Sequence, residues 1–281
     1  MSTMVPATTR LVRRALAHIA ALPEDESPRL ESVARALEVS PKLLASLPEL
    51  QRLFRPAGIE RCLDWTLRDW LTYHYHFVHQ GYRYGHPELQ QTWRGYKLLK
   101  NPLDCWVYQE IIAKTKPDVI VELGVAFGGS AIFFADVLEL IGHGELLGVD
   151  VSMERCAGVS HSRVTFLEGS SVDPAMVRDV HARCAGKRVM VFADSNHEAT
   201  HVEQELAAYC DLVGEGMYFI VEDSLADVMG WMPVPLDGPL PAIRSFLAAH
   251  PEFSSDLALG EKYLLTQSPY GFLVKAARGS K

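Results

Sequence analysis

The sequence predicts an α/β protein: a doubly wound, mostly parallel, Rossmann-like sheet preceded by an N-terminal helical extension. Three observations predict it. From residue 117 onward, apolar runs of about five residues alternate with amphipathic stretches, the texture of parallel strands buried on both faces and joined by helices. Polar residues gather where those runs end, at Glu122, Asp150, Glu168 to Ser171, Asp194 to Asn196, and Glu222 with Asp223. Ligands of such sheets sit at the carboxyl ends of the strands, where the strand order reverses. Before residue 100 the spacing is helical instead.

In chain order, "LVRRALAHIAAL" and "RLESVARALEVSPKLLASLPELQRLF" carry helical periodicity around the acidic "PEDESP". The stretch "LESVARALEVSPKLLASL" has the outline of a helix-turn-helix, but Lys42 alone is a poor display for reading DNA, so packing helices are expected there. An aromatic and histidine-rich segment follows. His74, His76 and His79 have no carboxylate nearby, and a lid is expected in preference to a metal site. Five strands are predicted within "PDVIVELG", "GELLGVDV", "RVTFLEGSS", "KRVMVFADS" and "GMYFIVEDS", with a helix over "GSAIFFADVLELIG". The expected division is 1–92 for the helical region, acting with its aromatics (Tyr73 to Tyr96) as a lid or oligomer contact, and 93–281 for the sheet domain.

Bulk composition narrows the function. A chain of 281 residues with 48% hydrophobic and 22% charged content can bury a sizeable core. Its formal net charge of −8 gives no reason to expect nucleic acid or an anionic membrane as partner. Five scattered cysteines, none in C-x-x-C, suit a reducing, cytoplasmic compartment and offer no metal knuckle. The first residues place arginines inside the apolar stretch, so no signal peptide is expected. No run of 18 apolar residues suggests a membrane span.

Two motifs compete for the chemistry. "VELGVAFGGS" has Gly124 and Gly129 in the register of a dinucleotide turn, but Ala126 stands where the second glycine would admit a pyrophosphate. S-adenosylmethionine lacks that pyrophosphate. Glu122 can receive its positively charged methionine end, and Asp150 its ribose hydroxyls. A nicotinamide-dependent oxidoreductase is the alternative on the same fold. The other motif, His197-Glu198-Ala199-Thr200-His201, matches the H-E-x-x-H of zinc peptidases. It begins at a helix entrance, however. A buried stripe of Val202, Leu206, Tyr209 and Val213 sets His201 about 100° off the inner face, so Glu198 and His201 are expected to be ordinary first-turn residues.

Taken together, "KNPLDCWVYQEII", "PDVIVELGVAFGGSAIFFA", "LLGVDV", "FLEGSSVD", "VMVFADSNHEATHVEQELAAYCDLV", "GMYFIVEDS" and "GPLPAIRSFL" resemble the cephalosporin hydroxylase/rhamnosyl O-methyltransferase family over roughly residues 93 to 276. Its members are class I S-adenosylmethionine-dependent methyltransferases of sugar and natural-product pathways, antibiotic biosynthesis among them. The resemblance implies cofactor contacts from Glu122, Gly124, Gly128, Ser130, Asp150 and Asp194, with Ser170 and Ser171 beside the adenine. It implies magnesium held by Asp194, Glu222 and Asp223, although Asn196 stands where the family commonly has a second aspartate. It also implies a small hydroxyl-bearing acceptor and a homo-oligomer. Magnesium prefers oxygen ligands. Adjacent strand residues point to opposite faces, so Glu222 and Asp223 can converge only if the strand has already broken. Histidine is the side-chain type whose ordinary pKa lies near neutrality, and His197 is the expected base for the acceptor hydroxyl.

Overall fold

The computed structural model describes residues 7–20, 30–40, 43–44, 91–228 and 238–277. The chain divides into two compact units, Met1–Gln91 with Met229–Val234, and Thr92–Val228 with Pro235–Lys281.

In the first unit, helices α1 (Ala7–Ala20) and α2 (Leu30–Ala36) pack on each other. Val12 and Ala15 of α1 and Val33 and Ala34 of α2 are buried. Glu38 leaves the second helix in the left-handed conformation, and Ser40 caps the turn that follows by accepting from Leu43 N at 3.2 Å. The remainder of the expected helix-turn-helix and the aromatic segment before Gln91 lie outside the described residues.

The second unit opens with a hairpin absent from the sequence expectation, β1 (Thr92–Trp93) and β2 (Tyr96–Lys97), turned by Arg94 and Gly95 at φ 51° and 86°. Paired positive φ values give the turn the twist that hairpin strands need. Helix α3 (Pro102–Thr115) starts where Asn101 accepts from Leu103 N, with proline at its first position, and stops at left-handed Lys116. Then come β3 (Val119–Leu123), α4 (Gly129–Leu140), β4 (Glu145–Asp150), β5 (Val164–Glu168), α5 (Pro174–Cys184), β6 (Val189–Ala193), α6 (Ala199–Tyr209) and β7 (Tyr218–Val221). The short α7 (Leu225–Val228), α8 (Pro239–Ala249), β8 (Phe253–Ser255), α9 (Leu257–Gly260) and β9 (Phe272–Lys275) complete the unit.

Seven strands form one sheet in the order β5-β4-β3-β6-β7-β9-β8. The five predicted strands run parallel, whereas β9 pairs antiparallel with both β7 and β8. Strand pleating divides the core in two. Val119, Val121, Leu123, Val191 and Ala193 face a layer with Val202, Leu206 and Tyr209 of α6 and Ile243 of α8. Ile120, Met190, Phe192 and Ile220 face the other way, onto Tyr108 and Ile112 of α3 and Phe134 and Leu138 of α4. The stripe expected on α6, Val202, Leu206, Tyr209 and Val213, is buried throughout.

Candidate active site

The chain moves outward from β3 to β4 and β5, then returns to the other side of β3 to form β6 and β7. The crevice between the ends of β3 and β6 is therefore the switch point. Two main chains nearly touch there. A Cβ at Gly124, which sits at φ +92°, would lie 2.1 Å from the Asp194 carbonyl oxygen, so only glycine fits.

A cavity of about 640 Å³ opens over this crevice. Gly124 and Ala126 line it from the β3 turn, Asp150, Val151 and Ser152 from the end of β4, and Gly169 and Ser171 from the end of β5. Asp194, Ser195 and Asn196 line it from the end of β6, and His201 from α6. Asp150 Oδ2 accepts from Val125 N and Ala126 N, both at 3.0 Å, and Oδ1 accepts from Ser152 N at 3.2 Å. It thus holds the glycine turn in shape, including Ala126 at φ 43°, while still facing the cavity. Asn196 Oδ1 accepts from Glu198 N at 3.1 Å and shapes the turn into α6.

Of the eight residues expected to hold the cofactor, Gly124, Asp150, Ser171 and Asp194 line the cavity. Gly128 (φ 76°) is the N-cap of α4 and Ser130 is buried in its first turn. The Ser170 carbonyl accepts from Asp173 N ahead of α5. Glu122, expected at the methionine end, is wholly buried and lies 3.6 Å from the Lys100 ammonium.

Lys100, which sequence reasoning missed, stands under the site. Its Nζ donates to Asp194 Oδ2 at 2.6 Å and to Glu222 Oε1 at 2.7 Å, and its side chain is only 1% exposed. Pleat parity explains the convergence. Glu122 pairs across the sheet with Phe192, and Phe192 with Ile220, so Asp194 and Glu222, each two residues further on, point to the same face. Burial pulls the Lys100 ammonium down, but Asp194, Glu222 and Glu122 outweigh it and hold it well above its ordinary range. One cation serves three acids. Burial accordingly pushes Glu122 up to about 7 and Glu222 up as well, against the pull of Lys100.

Glu222 continues the ladder, its N–H donating to the Ala193 carbonyl. Asp223 leaves the ladder at φ 59°, in the left-handed region that aspartate tolerates better than most residues. The consecutive acids therefore part: Glu222 goes to Lys100, while Asp223 Oδ2 comes to 3.2 Å from His197 Nε2. His197 Nε2 is also 4.0 Å from Asp194 Oδ1. The donor atoms that converge, all within 4.8 Å of one another, belong to Asp194, His197 and Asp223. The expected trio of Asp194, Glu222 and Asp223 is thus not the one that the backbone brings together.

The H-E-x-x-H stretch does not form a zinc site. His197 precedes α6, Glu198 is its N-cap, and the two imidazoles part, with His201 Nε2 3.4 Å from Glu205 Oε1. His201 is also no ordinary helix residue, since it lines the cavity and meets Ser171 Oγ at 3.1 Å.

Residues 87–276 match the family described as Rhamnosyl O-methyltransferase/CmcI. A rhamnosyl O-methyltransferase of Mycobacterium leprae is 33% identical over 190 residues, covering 66% of this chain and 82% of the relative. The Mycobacterium bovis protein of that name is 31% identical over 191 residues, covering 66% and 78%. Among solved structures, apo CmcI superposes with a TM-score of 0.54 at 23% identity, covering 81% of this chain and 94% of that one. CmcI with Mg and S-adenosylmethionine gives 0.55 at 22%, with the same coverage. These two likenesses concern the fold. None of these relatives or structures supports a nicotinamide enzyme or a zinc peptidase.

Proposed function

The chain belongs to the Rhamnosyl O-methyltransferase/CmcI family of S-adenosylmethionine-dependent O-methyltransferases, and from that premise we propose that it methylates a hydroxyl of a sugar or sugar-bearing natural product with magnesium as a second cofactor. The observation that carries this reading is the placement of Asp194, His197 and Asp223 beside a cavity that the β3 turn and Asp150 complete. The rhamnosyl group in the relatives' name supports a sugar hydroxyl.

The residues suit a hard divalent cation. Asp194 and Asp223 each offer a carboxylate oxygen, and magnesium keeps waters that neighbouring substrate hydroxyls can replace. Because Lys100 engages Oδ2 of Asp194, Oδ1 is left on the His197 side. When bound, the cation lowers the pKa of a coordinated hydroxyl.

The remaining work falls to the chain. The acceptor oxygen attacks the sulfonium methyl carbon in line, the carbon–sulfur bond breaks, and S-adenosylhomocysteine leaves as a neutral thioether. His197 takes the hydroxyl proton, and Asp223, 3.2 Å away, stabilises the imidazolium that results. At 40% side-chain exposure, His197 can reach both an acceptor and solvent. Ser171 and Asp150 hold the nucleoside part of the cofactor.

Incubation with S-adenosylmethionine, magnesium and a panel of rhamnosylated and other glycosylated acceptors tests the reading. S-adenosylhomocysteine should accumulate in step with a methylated sugar and stop on chelation. Turnover unaffected by EDTA would remove magnesium from the proposal. No transfer to any hydroxyl acceptor, with the cofactor bound, would remove the sugar.

A further inference from the structure

The half of the H-E-x-x-H stretch that methyl transfer does not use forms a second polar cluster at the β5 end of the cavity. Glu205 is fully buried. Its Oε1 accepts from Ser171 Oγ at 2.5 Å and from Ser195 Oγ at 2.6 Å. His201 Nε2 stands 3.1 Å from Ser171 Oγ and 3.4 Å from that same carboxylate oxygen. These contacts fix a tautomer. A serine hydroxyl has one proton, and Ser171 gives it to Glu205. Its oxygen can only accept from His201, so Nε2 carries the hydrogen; the Glu205 carboxylate holds the imidazole above its ordinary pKa, and once the ring is neutral Nδ1 is a bare acceptor. Both polar contacts of the ring, to Ser171 and to Glu205, run through Nε2.

His201 lines the same cavity as Asp150, Ser171 and Asp194. A cofactor held with its sulfonium near Asp194 and its ribose at Asp150 would extend across the strand ends toward Gly169 and Ser171, which line the cavity after β5. From β6 to β5 is three strand spacings, roughly 14 Å, enough for a nucleoside with its linker. We infer that His201 reads the amino group of the cofactor's adenine through Nδ1, with Glu205 as the positioning residue that fixes its tautomer through Ser171. The inference rests on the proposed use of S-adenosylmethionine and names the side chains that select its base. A hypoxanthine ring would set a keto oxygen against the Nδ1 lone pair in place of an amine hydrogen.

The test is isothermal titration of the full chain with S-adenosylhomocysteine and with S-inosylhomocysteine, its deaminated analogue, at about pH 8.5 to keep the imidazole neutral. The wild type should prefer the adenine ligand by about ten- to a hundredfold, the scale of one mismatched buried hydrogen bond. In His201→Phe the two affinities should come within about twofold of each other, the limit of discrimination once that bond is gone. Glu205→Leu, which removes the acceptor and leaves Ser171 free to donate to Nε2, should also shrink the ratio, whereas a purely structural role for Glu205 would weaken both ligands equally. Equal affinities in the wild type, or an undiminished ratio in both variants, would overturn the inference while leaving the methyltransferase reading intact. Failure of the wild type to bind S-adenosylhomocysteine at all would overturn both.

Discussion

Asp194 stands between two regions of opposite character. Its Oδ2 belongs to a sealed cluster in which one ammonium, 1% exposed, faces three carboxylates. Its Oδ1 belongs to an open rim where His197 is 40% exposed and Asp223 is turned out by its own backbone. Lys100, Glu122 and Glu222 are buried, and none of them lines the cavity. The sealed side contributes geometry, since a carboxylate pinned at one oxygen presents the other in a fixed direction. The rim is where protons and cations can arrive. The contrast separates acids locked onto Lys100 from one turned toward the rim, and sequence adjacency, as with Glu222 and Asp223, does not decide which is which.

Substitutions should separate the two sides. The largest effect is expected from Lys100→Met, which leaves buried carboxylates without their cation. Breaking a buried ion pair from one side costs about 3–5 kcal/mol, so denaturant unfolding should show a loss on that scale and turnover should vanish with it. Wild-type stability would mean that the cluster is held by something other than charge. On the rim, His197→Ala should lower kcat by about 100- to 10,000-fold, the usual range for a positioned general base, while S-adenosylhomocysteine affinity and folding stay unchanged. Full turnover would end its assignment as the base. Asp223→Asn keeps a residue tolerant of positive φ and should cost about 100-fold in kcat, the lower end for losing one electrostatic group. Excess magnesium should partly restore it, and identical losses with and without added metal would count against a ligand role.

Glu122→Gln should have the smallest effect on turnover, and it probes the sealed side by pH. Burial raises this acid from 4.5 to about 7. A folded pKa above the unfolded one gives stability that is complete below pH 4.5 and is lost as pH rises through about 7. Metal-free wild-type protein should therefore lose stability across that window. The glutamine variant should lose less, as measured by urea midpoints at either end. A wild-type midpoint that rises across the window would contradict the assignment.

Much of the fold is legible because parallel strands buried on both faces leave short apolar runs that little else produces. The strands that escape such reading are the short ones. "FSS" and "FLVK" are three and four residues long and partly exposed, so no run marks them. The hairpin before α3 is recognisable only by its Arg94-Gly95 turn. At the site, Asp150 and Asp194 are legible as strand-end acids. Lys100 is not, because a lysine in a connecting segment reads as solvent-facing. The available signal was that residues 122, 194 and 222 share a pleat face and need a cation. The parting of Glu222 from Asp223 depends on one backbone dihedral that local sequence does not encode. His201 could be placed beside the stripe of α6, but its partner Ser171 comes from 30 residues earlier, which only the assembled sheet brings near.

The contact between Gly124 and the Asp194 carbonyl, too close for any other side chain, has a thermodynamic consequence. It joins the turn proposed to receive the nucleoside to the acid proposed to face the cation, so binding of the two occupants is expected to be coupled. Linkage of this kind is reciprocal. Whatever factor magnesium adds to the affinity for S-adenosylmethionine, S-adenosylmethionine must add to the affinity for magnesium.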